Sequence, residues 1–129
     1  MIVPKNFSQV TPYIFADDAL GYMDHLIAAL GGEDMGRTMR DGTLANGIIR
    51  FGDASIMISE AAQGFDPSQC ATYFYVENAD KAMAQALKHG MEKIFDPTDM
   101  DYGDRQGGVR DKAGNIWWIS QRLTEEAYH

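Results

Sequence analysis

Residues 102–120 read YGDRQGGVRDKAGNIWWIS, and no other stretch of the chain says as much about its architecture. The stretch contains a charged, glycine-rich turn, a short strand-like run, a second turn and a last strand with two adjacent tryptophans. Neighbouring residues on a strand point to opposite faces of a sheet, so Trp117 and Trp118 cannot both lie in one core. The rest of the sequence has to show what each face of this strand contacts.

Upstream of this stretch, the apolar pattern predicts a strand, a helix and three strands, and then the same order again. Asp17 and Asp18 are the expected N-caps of the first helix, and the pair Gly31-Gly32 ends it. Asn78 is the expected N-cap of the second helix, which stops at Gly90. The predicted helices are 19–30 and 79–90, and the predicted strands are 9–16, 35–40, 44–52, 54–60, 71–78, 91–95, 106–110 and 115–121.

The two halves also align with each other. A shift of 60 positions places Tyr13 on Tyr73, Phe15 on Tyr75 and Met23 on Met83. At the ends of the halves the shift becomes 61, and IMIS at 56–59 falls on WWIS at 117–120. The shared order of elements together with these matches predicts an internal duplication.

Length and composition set the class of protein. A chain of 129 residues has the size of one domain with a sizeable core. The net charge is −8 and the basic residues are scattered, which argues against nucleic acid or an anionic membrane as a partner. Cys70 is the single cysteine, no apolar run approaches the ~20 residues of a membrane helix, and the first residues lack a signal-peptide pattern. We therefore expect a cytoplasmic protein.

A duplicated βαβββ unit that opens with TPYIFADDALGYMDHLIAALGGE and closes with YGDRQGGVRDKAGNIWWIS resembles the vicinal oxygen chelate superfamily. That group contains glyoxalase I, bleomycin-resistance proteins and extradiol dioxygenases, and the chain is most similar to its small glyoxalase-like bacterial branch. The resemblance implies an α+β fold in one domain over residues 1–129. Its two tandem βαβββ modules, about 7–60 and 71–122, are joined by a linker at 61–70 and form a curved mixed sheet around a cavity, with the helices on the convex face. The resemblance also implies a homodimer.

The resemblance gives the two tryptophans different surroundings. Trp117 and Ile119 share one face of the last strand, while Trp118 lies on the other. The convex face of the sheet has to cover the helices, and the concave face lines the cavity. In the resembled fold the position of Trp118 lies on the concave face of the sheet. We therefore expect Trp117 in the core and Trp118 in the wall of a pocket.

The resemblance implies four inward positions for metal ligands, and they correspond to Thr11, Met57, Ala71 and Trp118. None of these side chains suits a divalent metal, which needs imidazole or carboxylate at a site of this type. His25 and His89 lie in or at the end of a helix and have no second ligand at a suitable spacing. We expect neither a metal nor another cofactor.

The residues that the resemblance places on the inward face of the strands also predict a binding site for a small molecule. Its residues are mostly aromatic or apolar, which is typical of a pocket that stacks a planar compound. Arg105 has two interpretations: it fixes the turn together with Asp104, or it holds a carboxylate or phosphate at the mouth of the cavity. The predicted ligand-binding residues are Tyr13, Phe15, Asn46, Arg50, Met57, Tyr73, Tyr75, Arg105 and Trp118.

Three functions remain open at this point. The leading one is metal-independent binding of a small, largely apolar or aromatic compound, with no chemistry performed. The second is a lyase, isomerase or dioxygenase that uses a metal, or an acid–base mechanism through Asp104, Glu60 or a tyrosine. The third is a filled barrel that mainly makes protein contacts. The sequence assigns no catalytic residue.

Overall fold

The computed structural model describes all 129 residues and confirms the order strand, helix and three strands, repeated once. The protein is therefore an α+β fold with two tandem βαβββ modules. The helices are α1 (Ala19–Leu30) and α2 (Ala79–Lys88). The strands are β1 (Tyr13–Ala16), β2 (Glu33–Arg40), β3 (Thr43–Phe51), β4 (Ala54–Glu60), β5 (Ala71–Tyr75), β6 (Glu92–Asp99), β7 (Asp104–Arg110) and β8 (Ile116–Arg122).

The chain divides into two compact units, unit 1 (Met1–Ser68) and unit 2 (Gln69–His129). Each unit has its own four-stranded sheet, with the strand order β1-β4-β3-β2 in unit 1 and β5-β8-β7-β6 in unit 2. The first strand of each module runs parallel to the last, and the other neighbours are antiparallel. Both sheets are open, so neither closes into a barrel.

Both helices begin in the same way. The Asp18 carboxylate accepts from the N–H of Gly21, and the Asn78 side chain accepts from the N–H of Lys81. The last strand of each module adds a second acceptor: Glu60 accepts from the N–H groups of Asp18 and Ala19, and Gln121 accepts from that of Ala79. These acceptors satisfy N–H groups that have no partner within the helix. Each helix is thereby fixed to the parallel strand pair beneath it.

Close packing of each helix on its sheet depends on one glycine. A Cβ added at Gly47 of β3 would lie 2.5 Å from Met23 Sδ, and one added at Gly107 of β7 would lie 2.9 Å from Met83 Sδ. The two pairs are related by the same shift of 60 positions that relates the two halves of the sequence. The duplication therefore extends to the packing of the cores.

Trp117 lies in the core of unit 2, as predicted. It is 1% exposed, its ring meets Phe74 edge-on at 5.9 Å, and its indole N–H donates to the Asp111 carboxylate at 2.9 Å. Asp111 also accepts from the N–H groups of Ala113 and Asn115. One buried carboxylate thus fixes both the turn before β8 and the Trp117 ring.

Candidate functional site

In unit 1 the predicted residues lie together on the sheet face away from α1, here called the helix-free face. Gly47 faces Met23 of α1, so its neighbours Asn46 and Ile48 face away from the helix. The strand register extends this face across the sheet, because Tyr13 lies beside Met57 and Met57 beside Ile48. The predicted residues on this face are Tyr13, Phe15, Asn46, Arg50 and Met57.

A cleft of about 420 Å³ lies at one end of this face. Phe15 is the only one of the predicted ligand-binding residues that lines it; its other walls include Arg40, Thr43, Ser59 and Phe65. The rings of Tyr13 and Phe15 are 5.2 Å apart and those of Phe15 and Phe65 are 5.3 Å apart, both in tilted arrangements. Three aromatic rings therefore form a continuous row that ends in the cleft.

The loop after β4 brings Phe65 to the cleft. Ala62 and Phe65 exchange two backbone hydrogen bonds, and Ser68 bonds to both the N–H and the carbonyl of Phe15. These contacts hold the loop beside β1 and leave Phe65 58% exposed. Phe65 is not among the residues predicted from the sequence, because its surroundings have loop composition. The signal that could have found it is a single large aromatic residue among polar ones.

The charged residues of unit 1 differ in how far they are engaged. Arg50 donates to the carbonyl of Gly52 at 2.7 Å and lies 3.6 Å from Glu33, so it is held near the start of β4, outside the cleft. Arg40 lines the cleft, and it takes part in none of the ion pairs of unit 1, which involve Arg37 and Arg50. Glu60 also lines the cleft, but its carboxylate is engaged by the N–H groups at the start of α1.

In unit 2 the predicted aromatic residues again share the helix-free face of the sheet. Tyr73 lies beside Trp118, and Tyr73 and Tyr75 have ring centroids 5.2 Å apart. Trp118 is half-buried over Gly108, where an added Cβ would come within 2.9 Å of its ring, and Phe95 lies 6.1 Å from it. As predicted from strand alternation, the two tryptophans lie on opposite faces.

One end of this face contains the Asp104 carboxylate, which is 0% exposed. One of its oxygens accepts from the hydroxyl groups of Tyr73 and Tyr128, at 2.5 Å and 2.6 Å, and the other accepts from Arg122 Nη1 at 2.9 Å. The hydroxyl groups of Tyr75 and Tyr128 are 2.6 Å apart. These residues, Asp104, Tyr73, Tyr75, Arg122 and Tyr128, are called the Asp104 cluster below.

The hydrogen bonds of the cluster determine its charge. Burial by itself raises the pKa of Asp104, but the donors Tyr128, Tyr73 and Arg122 outweigh it and hold that pKa below the ordinary value. The pKa of Tyr73 is raised, first by burial and then by its bond to Asp104. The pKa of Tyr128 is raised mainly by its bond to Asp104. At neutral pH the Asp104 carboxylate is therefore charged, and the phenols of Tyr73 and Tyr128 that donate to it are neutral.

Two carboxylates engage the Arg105 guanidinium, which favours the first of its two interpretations, that of a residue that fixes the turn. Its Nε and Nη2 atoms donate to the carboxylate of Asp80 on α2, and Nη1 donates to Asp99 on β6. Arg105 is adjacent to Asp104 on β7, so the two side chains lie on opposite faces and do not pair. Arg105 is a clamp, with Asp80 and Asp99 as its partners instead of Asp104.

The four positions suggested for metal ligands lie on or beside the first and last strands of the two units. Thr11 precedes β1 and its hydroxyl donates to the carbonyl of Ser8, while Ala71 begins β5 beside Ile116. No group of three or more His, Cys, Asp or Glu side chains is arranged to hold a metal ion. Independence from metals stays a prediction. No helix is long and apolar enough to cross a membrane.

The sequence has relatives of modest identity. It is 23% identical over 128 residues to uncharacterised proteins of Mycobacterium tuberculosis and Mycobacterium bovis, with 90% of this chain covered and 75% and 84% of theirs. No family model matches.

Solved structures are similar over nearly the whole chain. TioX from Micromonospora sp. ML1 aligns with a TM-score of 0.77 at 20% identity, covering 90% of this chain and 99% of that one. A glyoxalase/bleomycin resistance protein/dioxygenase family enzyme from Burkholderia phytofirmans aligns with a TM-score of 0.70 at 19% identity, covering 86% and 95%. The chain therefore has the glyoxalase/bleomycin resistance protein/dioxygenase fold, that of the vicinal oxygen chelate superfamily.

Proposed function

We propose that the protein binds a small, largely apolar or aromatic compound without a metal, and that the cleft of unit 1 is the site. The observation that carries this proposal is the row of rings from Tyr13 through Phe15 to Phe65, which ends in an open cleft of about 420 Å³. Ligand pockets in proteins span roughly 300–1,000 Å³ and are lined mainly by apolar and aromatic side chains.

The position of Phe65 supports binding over simple filling of the core. A ring held by a fixed loop yet 58% exposed contributes little to the core and leaves a face free for stacking. Arg40 and Thr43 add polar groups at the rim, which can orient a compound whose apolar part lies between the rings.

The acid–base alternative has less support. Asp104 and Glu60, the carboxylates considered for it, are both engaged by donors within the protein. The Asp104 carboxylate is also fully buried beneath the tyrosines around it. A general base, in contrast, has to reach a proton of the substrate.

A homodimer is part of this proposal. The outer strands β2 and β6 are almost wholly exposed, and Met35, Met39 and Ile94 on them are 42%, 46% and 39% exposed. Exposed edge strands of this kind are suited to pairing with a second copy. Light scattering at micromolar concentration would test the subunit number.

The binding proposal is tested with anilinonaphthalene sulfonate, an aromatic anion whose fluorescence rises when its rings enter apolar surroundings. The chain should bind it saturably, equally with and without a chelator. Phe65→Ala should weaken binding about 3- to 10-fold, the amount expected for one aromatic contact. Leu87→Ala, which truncates a partly exposed apolar residue on α2 of unit 2, is the matched control and should leave binding unchanged. Equal binding by the chain and by Phe65→Ala would contradict the proposal.

A further inference from the structure

Tyr128 belongs to the segment 123–129, which contains neither helix nor strand, yet it is inserted into the Asp104 cluster. Its hydroxyl donates to Asp104 and lies 2.6 Å from that of Tyr75. The guanidinium carbon of Arg122 lies 4.1 Å from the centre of its ring. Tyr128 is nevertheless 46% exposed, so it contributes one phenol to the sheet and little to the core.

The groups that hold Tyr128 come from the sheet itself. Asp104 is on β7, Arg122 on β8 and Tyr75 on β5, so strand pairing fixes their backbone positions. The Arg122 guanidinium is held both by the carbonyl of Tyr102 and by that of Glu126, which belongs to the same segment as Tyr128. Together they offer a buried anionic acceptor, a neighbouring hydroxyl and a cation that covers one ring face. Each group matches one part of a phenol: its O–H, its oxygen and its π-face.

We propose that this face of unit 2 is a binding site for phenols, in which the protein's own Tyr128 lies as an intramolecular ligand. A phenolic compound that replaces Tyr128 gives the same hydrogen bond to Asp104 and the same contact with Arg122. An aromatic hydrocarbon leaves the buried carboxylate without that donor, and a carboxylate ligand is repelled by it. The inference rests on the proposed function in that both concern aromatic ligands, but it involves different residues.

Strand pairing in unit 1 gives a contrasting face at the corresponding place. Phe15 lies beside Ser59 there, as Tyr75 lies beside Ser120 in unit 2. The buried polar residues of unit 1 are two serines, and it has no buried carboxylate. Of the two units, only unit 2 therefore offers a buried anionic acceptor for the hydroxyl of a phenol.

The experiment removes the intramolecular ligand and supplies a free one. p-Cresol, which has the ring and hydroxyl of a tyrosine side chain, is titrated into Tyr128→Ala and into the unaltered chain by calorimetry. Tyr128→Ala should bind p-cresol at least tenfold more tightly than the unaltered chain, because Tyr128 no longer competes. It should bind p-cresol about tenfold more tightly than toluene, the effect of one hydrogen bond to a charged group.

Two controls keep the outcome interpretable. Tyr102→Ala removes another partly exposed tyrosine, whose hydroxyl donates to Gln106 instead of Asp104, and it should create no site for p-cresol. If Tyr128→Ala does not fold, p-cresol is added to the unaltered chain, where it should displace Tyr128 and shift the NMR signals of that ring.

The inference is overturned if Tyr128→Ala binds no p-cresol, if it binds toluene equally well, or if p-cresol leaves the Tyr128 signals unchanged in the unaltered chain. Binding of anilinonaphthalene sulfonate in the cleft of unit 1 does not involve Tyr128. Loss of p-cresol binding therefore overturns this inference alone, and insensitivity of the probe to Phe65→Ala overturns the proposed function alone.

Discussion

Tyr13 and Phe15 in unit 1 occupy the places that Tyr73 and Tyr75 occupy in unit 2, but their surroundings differ. Phe15 faces an open cleft beside Phe65. Tyr75 faces the hydroxyl of Tyr128, in a cluster built around a buried carboxylate. The two units thus have the same strand order and equivalent acceptors at the helix N-termini, but one helix-free face ends in an open cleft beside aromatic rings while the other contains a buried carboxylate.

This difference shows which parts of the repeat are constrained by folding. The side of each sheet that meets the helix has kept its glycine, its methionine and its acceptor for the helix N-terminus. The other side has no helix to fit, so its residues were free to diverge. The divergence lies where a binding site would be placed, because a face that folding does not constrain is available for contacts with a ligand.

The largest effect on stability is expected when the two faces of the unit 2 sheet are compared. Trp117→Ala removes a fully buried ring and its hydrogen bond to Asp111, and should lower the free energy of unfolding by ~3–5 kcal/mol. Trp118→Ala should cost clearly less, because its ring is half-buried and one side already lacks packing. Denaturant titrations of both variants measure the two values. Equal losses would mean that the helix-free face of unit 2 is packed like a core.

The next effect tests whether the two cores are equivalent. Gly47→Ala and Gly107→Ala each place a Cβ against a helix methionine and should each lower the free energy of unfolding by about 1–3 kcal/mol through overpacking. Thermal or denaturant unfolding checks both. In a double-mutant cycle, combining Gly47→Ala with Met23→Ala should cost less than the sum of the single changes. If only one of the two glycine variants kept the free energy of unfolding of the unaltered chain, the two cores would not be energetically equivalent.

The elements on the helix side were largely predictable from the sequence. Helical spacing, Asp18 and Asn78 as caps and the glycine stop gave α1 and α2 within a few residues. The strand limits were less accurate: β1 starts at Tyr13 instead of residue 9, following Pro12, which lacks an N–H for pairing. Strand β6 continues past its predicted end to Asp99 and contains Pro97, which an outer strand tolerates at an irregular register.

The candidate site was predicted only in part, because its decisive contacts join residues far apart in the sequence. Alternation placed Trp118, Tyr73 and Tyr75 together correctly. It could not show that Asp104 meets Arg122 and Tyr128, since that depends on the register of β7 and the path of the chain after β8. The run DRQGGV lacks an apolar alternation, so the face on which Arg105 lies could not be determined.

The smallest effect on stability is expected when one tyrosine hydroxyl is removed from each unit. Tyr73→Phe removes a hydrogen bond to the charged Asp104 and, since Tyr73 is 41% exposed, should cost only about 1 kcal/mol at neutral pH. Tyr13→Phe is the matched control, because the Tyr13 hydroxyl makes no hydrogen bond to a carboxylate, and it should be neutral. Urea unfolding of both variants beside the unaltered chain measures the difference.

The pH dependence of that difference identifies its cause. The pKa of Asp104 is held below its ordinary value of 3.8, so the stability that it contributes is present above that pH and is lost as the pH falls through the lowered pKa. The pKa of Tyr73 is raised above its ordinary value of 10.0, so its contribution is present below that pH and is lost as the pH rises. The cost of Tyr73→Phe should therefore be constant between about pH 4 and pH 10 and should shrink on both sides. A cost that persists at low pH would assign the effect to packing of the ring, and the Asp104 carboxylate would then not be the group that distinguishes unit 2 from unit 1.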